Sequence, residues 1–326
     1  MSSAPRLVPA DPPESVYLGA YLAPFRAWLD REEVSEILIN RPGEMWIEAA
    51  GEPEMLRVAA PEIDDLHLRR LAEQIARISH QGINRERPLL AATLPGGARV
   101  QIIGPSATHG HWAMAIRRHR MVDLTLDAYD HGRLAPSGDA AMPDVEAAPI
   151  AYLREAVRRR RTILISGGTS TGKTTFLNAL LREVPAQERI ITVEDTPEIK
   201  LHGPNGLGLI AVKGELGEAL ITTDDLLQAA LRLRPDRIVL GELRGREAVS
   251  FLRAINTGHP GSFSTVHANS PQGALEQLAL MVMQSGIGLS RQDTIAYARQ
   301  VIDVVVQLGR VDGQRQITAI ALTADM

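Results

Sequence analysis

One segment limits this chain more than any other: Gly167-Gly168-Thr169-Ser170-Thr171-Gly172-Lys173-Thr174. It carries the spacing Gly-x4-Gly-Lys-Thr of a phosphate-binding loop. Its flanks supply the context that the pattern needs. Ile163-Leu164-Ile165-Ser166 before it reads as an apolar strand. After it, Phe176, Leu177, Leu180, Leu181 and Val184 mark the buried face of a helix over Thr175–Val184. Strand, glycine loop and helix in that order commit the region to an α/β layer. The chemistry accounts for the residue types. Glycine lets the backbone curl until several N–H groups face one oxyanion. The helix then starts with its positive pole at the phosphates. Gly168, Thr169, Ser170, Thr171, Gly172 and Thr175 form the cradle, Lys173 faces the β- and γ-phosphates, and the Thr174 hydroxyl completes a Mg²⁺ shell. The ligand expected here is a nucleoside triphosphate.

Other strand ends bring acids to the same place. Arg237-Ile238-Val239-Leu240-Gly241-Glu242 is an apolar strand ending in a carboxylate. Beside a P-loop strand, such an acid lies near the metal ion and the attacking water. Ile191-Thr192-Val193-Glu194-Asp195 repeats the logic on a further strand, although Asp195 equally suits a cap on the turn at Thr196-Pro197. Thr257 to His267 holds two His in a Gly/Ser/Thr-rich stretch. His267, at a strand end, suits a γ-phosphate or its water; His259 suits bracing of the turn.

The chain has 326 residues, room for about two domains at roughly 100–200 residues each. Thr162–Ser166, Arg189–Glu194, Arg237–Gly241, Ser262–Val266 and Asp303–Leu308 are β-rich runs that alternate with helical stretches, which predicts a parallel sheet covered by helices. The first part differs. Tyr17–Asp30 and Asp64–His80 read as helices, the latter with Leu66, Leu68, Leu71, Ile75 and Ile78 inward and Asp64 or Asp65 as its cap. Strands at Glu36–Asn40 and Met45–Glu48 flank a turn at Arg41–Glu44. Strands at Leu89–Leu94 and Ala98–Ile103 flank Pro95-Gly96-Gly97, and His111–Arg117 comes next. That predicts a small α+β domain with an antiparallel sheet. The boundaries expected are 17–130, a Gly/Pro/Ala/Asp-rich linker over 131–149, and 150–326. The stretch up to Val16 is expected to be loose.

Composition excludes several classes. There are 0 Cys, hence no disulfide, thiolate metal site or Cys nucleophile. A net charge of -4 argues against a protein that coats nucleic acid. No apolar run reaches the about 20 residues that cross a bilayer, and Met1–Pro13 has no secretory pattern. A cytosolic protein is expected. Arg158–Arg161 reads either as a solvated helix end or as a contact for an acidic partner.

Taken together, Gly167–Thr174, Val193–Glu198, Leu240–Gly245 and Thr257–His267 resemble the Walker A, Asp box, Walker B and His box of secretion ATPases, in family order. Val34–Glu44 and Ile255–Ser262 resemble the VirB11-type branch in particular. The resemblance covers roughly residues 17 to 322. It implies a RecA-like P-loop domain with a parallel-rich sheet, preceded by the smaller α+β domain. It also implies ATP and Mg²⁺ as ligands, with Lys173, Glu194, Glu242 and His267 catalytic. Further implications are a homo-hexamer at the cytoplasmic face of the bacterial inner membrane, secretion components there as partners, and nucleotide between the two domains. Arg99 and Arg117 match the family's phosphate-reaching arginines, with Arg118 as a rival for the second place. A guanidinium fork suits triphosphate charge. The four-Cys zinc site usual in type II assembly ATPases is missing. A motor of a pilus or Tad-type system is the neighbouring alternative. A RecA-like nucleic-acid translocase is the alternative from another class; it lacks support because no aromatic-rich basic stretch is present.

Overall fold

The computed structural model describes residues 16–118, 142–212 and 220–326. They divide into two compact units. One holds the described residues through Pro105 and from Gly110 to 118; the other holds Ser106–His109 and the described residues from 142 on.

The first unit contains α1 (Val16–Leu29), β1 (Val34–Ile39), β2 (Gly43–Ala49), β3 (Leu56–Ala60), α2 (Asp65–Ile78), β4 (Leu89–Thr93), β5 (Arg99–Ile103) and β6 (Ala113–Arg117). Its sheet has the order β3-β2-β1-β6-β5-β4, and every neighbouring pair is antiparallel. Asp64 caps α2, accepting the His67 N–H at 2.7 Å. Leu68, Leu71, Ala72, Ile75 and Ala76 of α2 are buried, in one core with Leu18, Leu22 and Phe25 of α1 and Ile37 and Ile39 of β1. Each such large side chain contributes about 1.5–3 kcal/mol on leaving water. Leu66, expected on that face, is 51% exposed. Two residues before Leu68, it lies about 200° round the helix, on the opposite face.

The second unit contains α3 (Pro149–Arg158), β7 (Ile163–Gly167), α4 (Lys173–Leu181), β8 (Ile190–Glu194), β9 (Gly206–Ile210), α5 (Thr223–Ala230), β10 (Arg237–Leu243), α6 (Glu247–Asn256), β11 (Phe263–Val266), α7 (Pro271–Gln284), α8 (Arg291–Val301), β12 (Val304–Val311) and β13 (Gln314–Leu322). The sheet runs β13-β12-β7-β11-β10-β8-β9. Only the β12–β13 pair is antiparallel. The expected α/β class, with a mostly parallel second sheet, is therefore present. Three strands have no counterpart in the sequence reading, β3, β9 and β13, and each lies at a sheet edge. An edge strand buries less, so its apolar alternation is weak; β9 also spends two of its five residues on Gly.

β7 is buried along its whole length. At the opposite pole of the sheet, fully buried Arg237 is held from all sides. It pairs with both oxygens of Glu188 at 2.6 and 3.0 Å and donates to the carbonyls of Val157 and Gly261. Complete satisfaction offsets the cost of a buried charge. The Arg158–Arg161 run resolves in the same region. Arg159 pairs with Glu155 at 2.7 Å, Arg160 with Glu188 at 3.4 Å and Arg161 with Asp303 at 2.8 Å. Of the segment 131–149, residues 131–141 lie outside the described residues, as does the stretch before residue 16. From Met142 on, the chain is tied down: Met142 and Val145 pack on the core, and Asp144 accepts the N–H groups of Glu146 and Ala147.

Candidate functional site

The parallel strands end together, and the loops and helix starts that leave those ends build the site, as open α/β sheets require. After β7 the chain turns through the glycine loop into α4, which begins at Lys173 rather than Thr175 as expected. Lys173 and Thr174 thus belong to the first helical turn. Gly167 is obligatory for lack of space: a Cβ there would stand 2.4 Å from Thr171 Oγ1. The Thr171 hydroxyl donates to the Gly168 carbonyl at 2.9 Å and closes the loop. Gly172 caps α4 with φ of 89°, a left-handed conformation that a side chain strains.

The resulting cavity has a volume of about 580 Å³ and is lined by the loop from Thr169 to Thr175, by Glu194 and Asp195, by Glu242 and Arg244, and by His267 and Arg315. Lys173 is 9% exposed. Its Nζ donates to the carbonyls of Gly167 and Gly168 at 3.1 and 3.3 Å and lies 3.3 Å from His267 Nδ1. Burial holds the Lys173 ammonium below its ordinary proton affinity, opposed by the charge of Glu242.

Glu242 stands where the pairing of β10 with β11 slips, between Leu240 and Leu243. Such an irregularity re-aims a side chain. Its Oε1 lies 2.7 Å from His267 Nε2, and its Oε2 is bound by Arg244. Lys173 Nζ lies 3.4 Å from His267 Nε2 as well, so the ammonium sits against the ring rather than on one nitrogen; the tautomer with Nε2–H lets that nitrogen donate to Glu242.

Glu194, the last residue of β8, is 3% exposed. Its Oε1 accepts the N–H groups of Glu198 and Ile199 at 2.9 and 2.8 Å. Its Oε2 has no hydrogen-bond partner among the described residues. Burial raises its proton affinity above the ordinary carboxylate value, against the two backbone bonds. Asp195 Oδ1 accepts from the Thr223 hydroxyl at 2.9 Å, and its Oδ2 lies 3.5 Å from Arg244.

Lys173, Thr174, Glu194, Glu242 and His267 are thus brought together. His259 is not. Its Nδ1 donates to the Pro235 carbonyl at 3.1 Å, so it braces the turn before β11. Arg99 and Arg117 lie in the first unit as direct partners across β5 and β6. Arg117 also pairs with Glu36 at 3.4 Å. Its rival Arg118 is taken up by the carbonyls of Arg31 and Val34. Two cavity residues carry no signal of their own in the sequence. Arg244 lies inside a recognised motif without an assigned role, and Arg315 lies on the unexpected edge strand β13.

The comparisons with known proteins agree with this geometry. A family model described as "Type II/IV secretion system protein" matches residues 21–315. The type IV secretion system protein VirB11 of Bartonella quintana is 36% identical over 325 residues, 92% of this chain and 91% of that protein. The PtlH homolog of Bordetella bronchiseptica, also a type IV secretion system protein, is 39% identical over 321 residues, 94% of each chain. Among solved structures, the VirB11 ATPase from the Brucella suis type IV secretion system, in complex with sulphate, matches with a TM-score of 0.85. The identity there is 34%, over 95% of this chain and 96% of that one.

Proposed function

The chain belongs to the type II/IV secretion system protein family, and on that premise we propose that it hydrolyses ATP to energise assembly of, or substrate transfer through, a bacterial type IV secretion system. The observation that carries the reading is the convergence on one cavity of the P-loop cation Lys173 with Glu194, Glu242 and His267. Phosphoryl transfer needs little covalent help from the protein; it needs positioned charge and a positioned water. Lys173 and the amides at the start of α4 supply the positive charge. Glu194, with one oxygen fixed by two amides and the other without a partner among the described residues, suits the proton of the attacking water. Glu242 and His267, already joined, suit the γ-phosphate end.

Mg²⁺ fits the donors present. The Thr174 hydroxyl and the carboxylates of Glu242 and Glu194 are hard oxygen ligands around one cavity. When bound, the ion neutralises charge on the phosphates, and Thr174 is the residue assigned to hold it.

The finer reading covers the whole assembly. Residues 17–130 and 150–326 act as two domains joined through 131–149, in a homo-hexamer docked on secretion components at the cytoplasmic side of the inner membrane. No described helix is long and apolar enough to cross a membrane. Arg99 and Arg117 stand directly opposite on neighbouring strands, where like charges repel; a phosphate between them would relieve that repulsion.

The test is Mg²⁺-dependent ATP turnover by the full chain and by Lys173→Ala, with and without single-stranded DNA. Turnover lost in the variant, and indifferent to DNA, is the expected result. Normal turnover by Lys173→Ala overturns the site assignment, and strong DNA stimulation moves the reading to a nucleic-acid translocase.

A further inference from the structure

The strand order gives the cavity two distinct ends. Glu194 ends β8, Glu242 lies in β10 and His267 comes directly after β11, and all three strands lie on one side of β7. On the other side lie β12 and then β13. β12 runs parallel to β7 with Leu308 beside Gly167. β13 returns along β12 with Arg315 opposite Arg310. This hairpin brings Arg315 to the P-loop from the side away from the carboxylates.

Its side chain crosses the start of α4. A Cβ built on Gly172 would lie 3.1 Å from Arg315 Cδ, 3.6 Å from Nε and 3.7 Å from Nη1. Arg315 lines the same cavity as Lys173 and Thr174. Among the described residues it has no acidic partner. A cation at the positive pole of a helix is unfavourable by itself. Here it shares that pole with a buried ammonium. The arrangement changes sign only when a multiply charged anion lies among the three.

We infer that Arg315 is a phosphate ligand supplied by the same chain, at the α-phosphate end of the bound nucleotide. Water, γ-phosphate and general-base chemistry belong to the β8–β10–β11 side. Arg315 meets the part of the nucleotide that ATP and ADP share. It therefore holds both nucleotides equally and does not sense hydrolysis. The inference rests on the reading of the cavity as an ATP site.

The experiment is calorimetric titration of the full chain with ADP and with a non-hydrolysable ATP analogue. The variants are Arg315→Ala, Arg315→Lys and, as a control for general charge, Arg310→Ala. Arg315 is exposed on an edge strand, so the fold should survive, and a melting curve without nucleotide checks it. Arg315→Ala should weaken both nucleotides by the same factor, on the order of tenfold, as expected for a charge-assisted bond. Arg315→Lys should recover part of the loss, and Arg310→Ala should keep wild-type affinity. Unchanged ADP affinity in Arg315→Ala overturns the inference. So does a loss confined to the ATP analogue, which would place the guanidinium at the γ-phosphate. Wild-type protein that bound neither nucleotide would instead bring down the reading of the cavity, and this inference with it.

Discussion

Glu194 and Glu242 are the same residue type in one cavity, but their surroundings give them opposite characters. Glu242 is held at both oxygens by cationic or hydrogen-bonding partners. Glu194 is buried, and burial outweighs its two amide bonds, so its proton affinity is raised above the ordinary carboxylate value. Two glutamine variants separate the roles. Glu194→Gln should lower turnover by about 10²–10⁴-fold, the usual cost of a lost general base, while ATP still binds. The same variant should melt at a higher temperature than wild type near neutral pH. The sign comes from linkage. A carboxyl whose folded pKa is raised loses stability as pH rises from the unfolded value through the folded one. Glutamine has no such loss, so its advantage should vanish below about pH 4.5, where both forms are neutral. Melting curves across pH 4 to 8 check this, and a variant that is less stable at every pH would contradict it. Glu242→Gln should also bind ATP, but its slower turnover should come with a disturbed His267, readable as shifted imidazole ring signals by NMR at a fixed pH, because the 2.7 Å contact is lost or changed. If Glu242→Gln alone stopped hydrolysis, Glu242 would be the residue that activates water. The acids themselves are legible in the sequence, because each ends an apolar strand. Which oxygen lacks a partner is not, because that depends on the backbone turn at Glu198 and Ile199.

Among the elements, strands in the middle of each sheet are readable, whereas three of the four edge strands, β3, β9 and β13, are not. β7 and β8 are buried along their whole length and β10 over its first four residues, and all three carry apolar runs, while β11 is buried with Phe263 and Val266 flanking Ser264 and Thr265. β13 has its first three residues exposed and mixes polar with apolar positions, so its pattern matches a loop as well as a strand. Arg315 goes unnoticed for the same reason. The turn before β11 shows the reverse case, in which a motif residue of chemical appearance is structural. His259 is partly buried against the Pro235 carbonyl, and burial lowers its proton affinity below the ordinary histidine value. The unfolded chain therefore binds this proton more readily than the folded one. Stability should fall as pH drops below about 6.5. His259→Asn, which keeps a donor for the carbonyl, should lose that part of the pH dependence between pH 7 and 5. A melting-temperature profile identical to wild type would show that His259 does not carry it.

For the molecule as a whole, the open question is whether nucleotide couples the two units. If Arg99 and Arg117 bind phosphate, scattering by the full chain should show compaction with a non-hydrolysable ATP analogue. The compaction should disappear in Arg99→Ala/Arg117→Ala, because charge-assisted bonds to phosphate exist only when phosphate is bound. An unchanged profile in both proteins would leave the two arginines as ordinary surface charge. Legibility divides here along a physical line. The P-loop, the strand-borne acids and the alternation of strands and helices are local features. Spacing, capping and apolar period act within a few residues, so the existence of two sheets and the chemistry at their ends is written directly in the residue order. Strand order is not local. It depends on which apolar faces bury one another across long separations, as when β12, near the end of the chain, inserts beside β7. Long-range packing alone therefore puts Arg315 and the acidic groups on opposite sides of the phosphate loop, and joins His267 to Glu242 while His259 braces a turn.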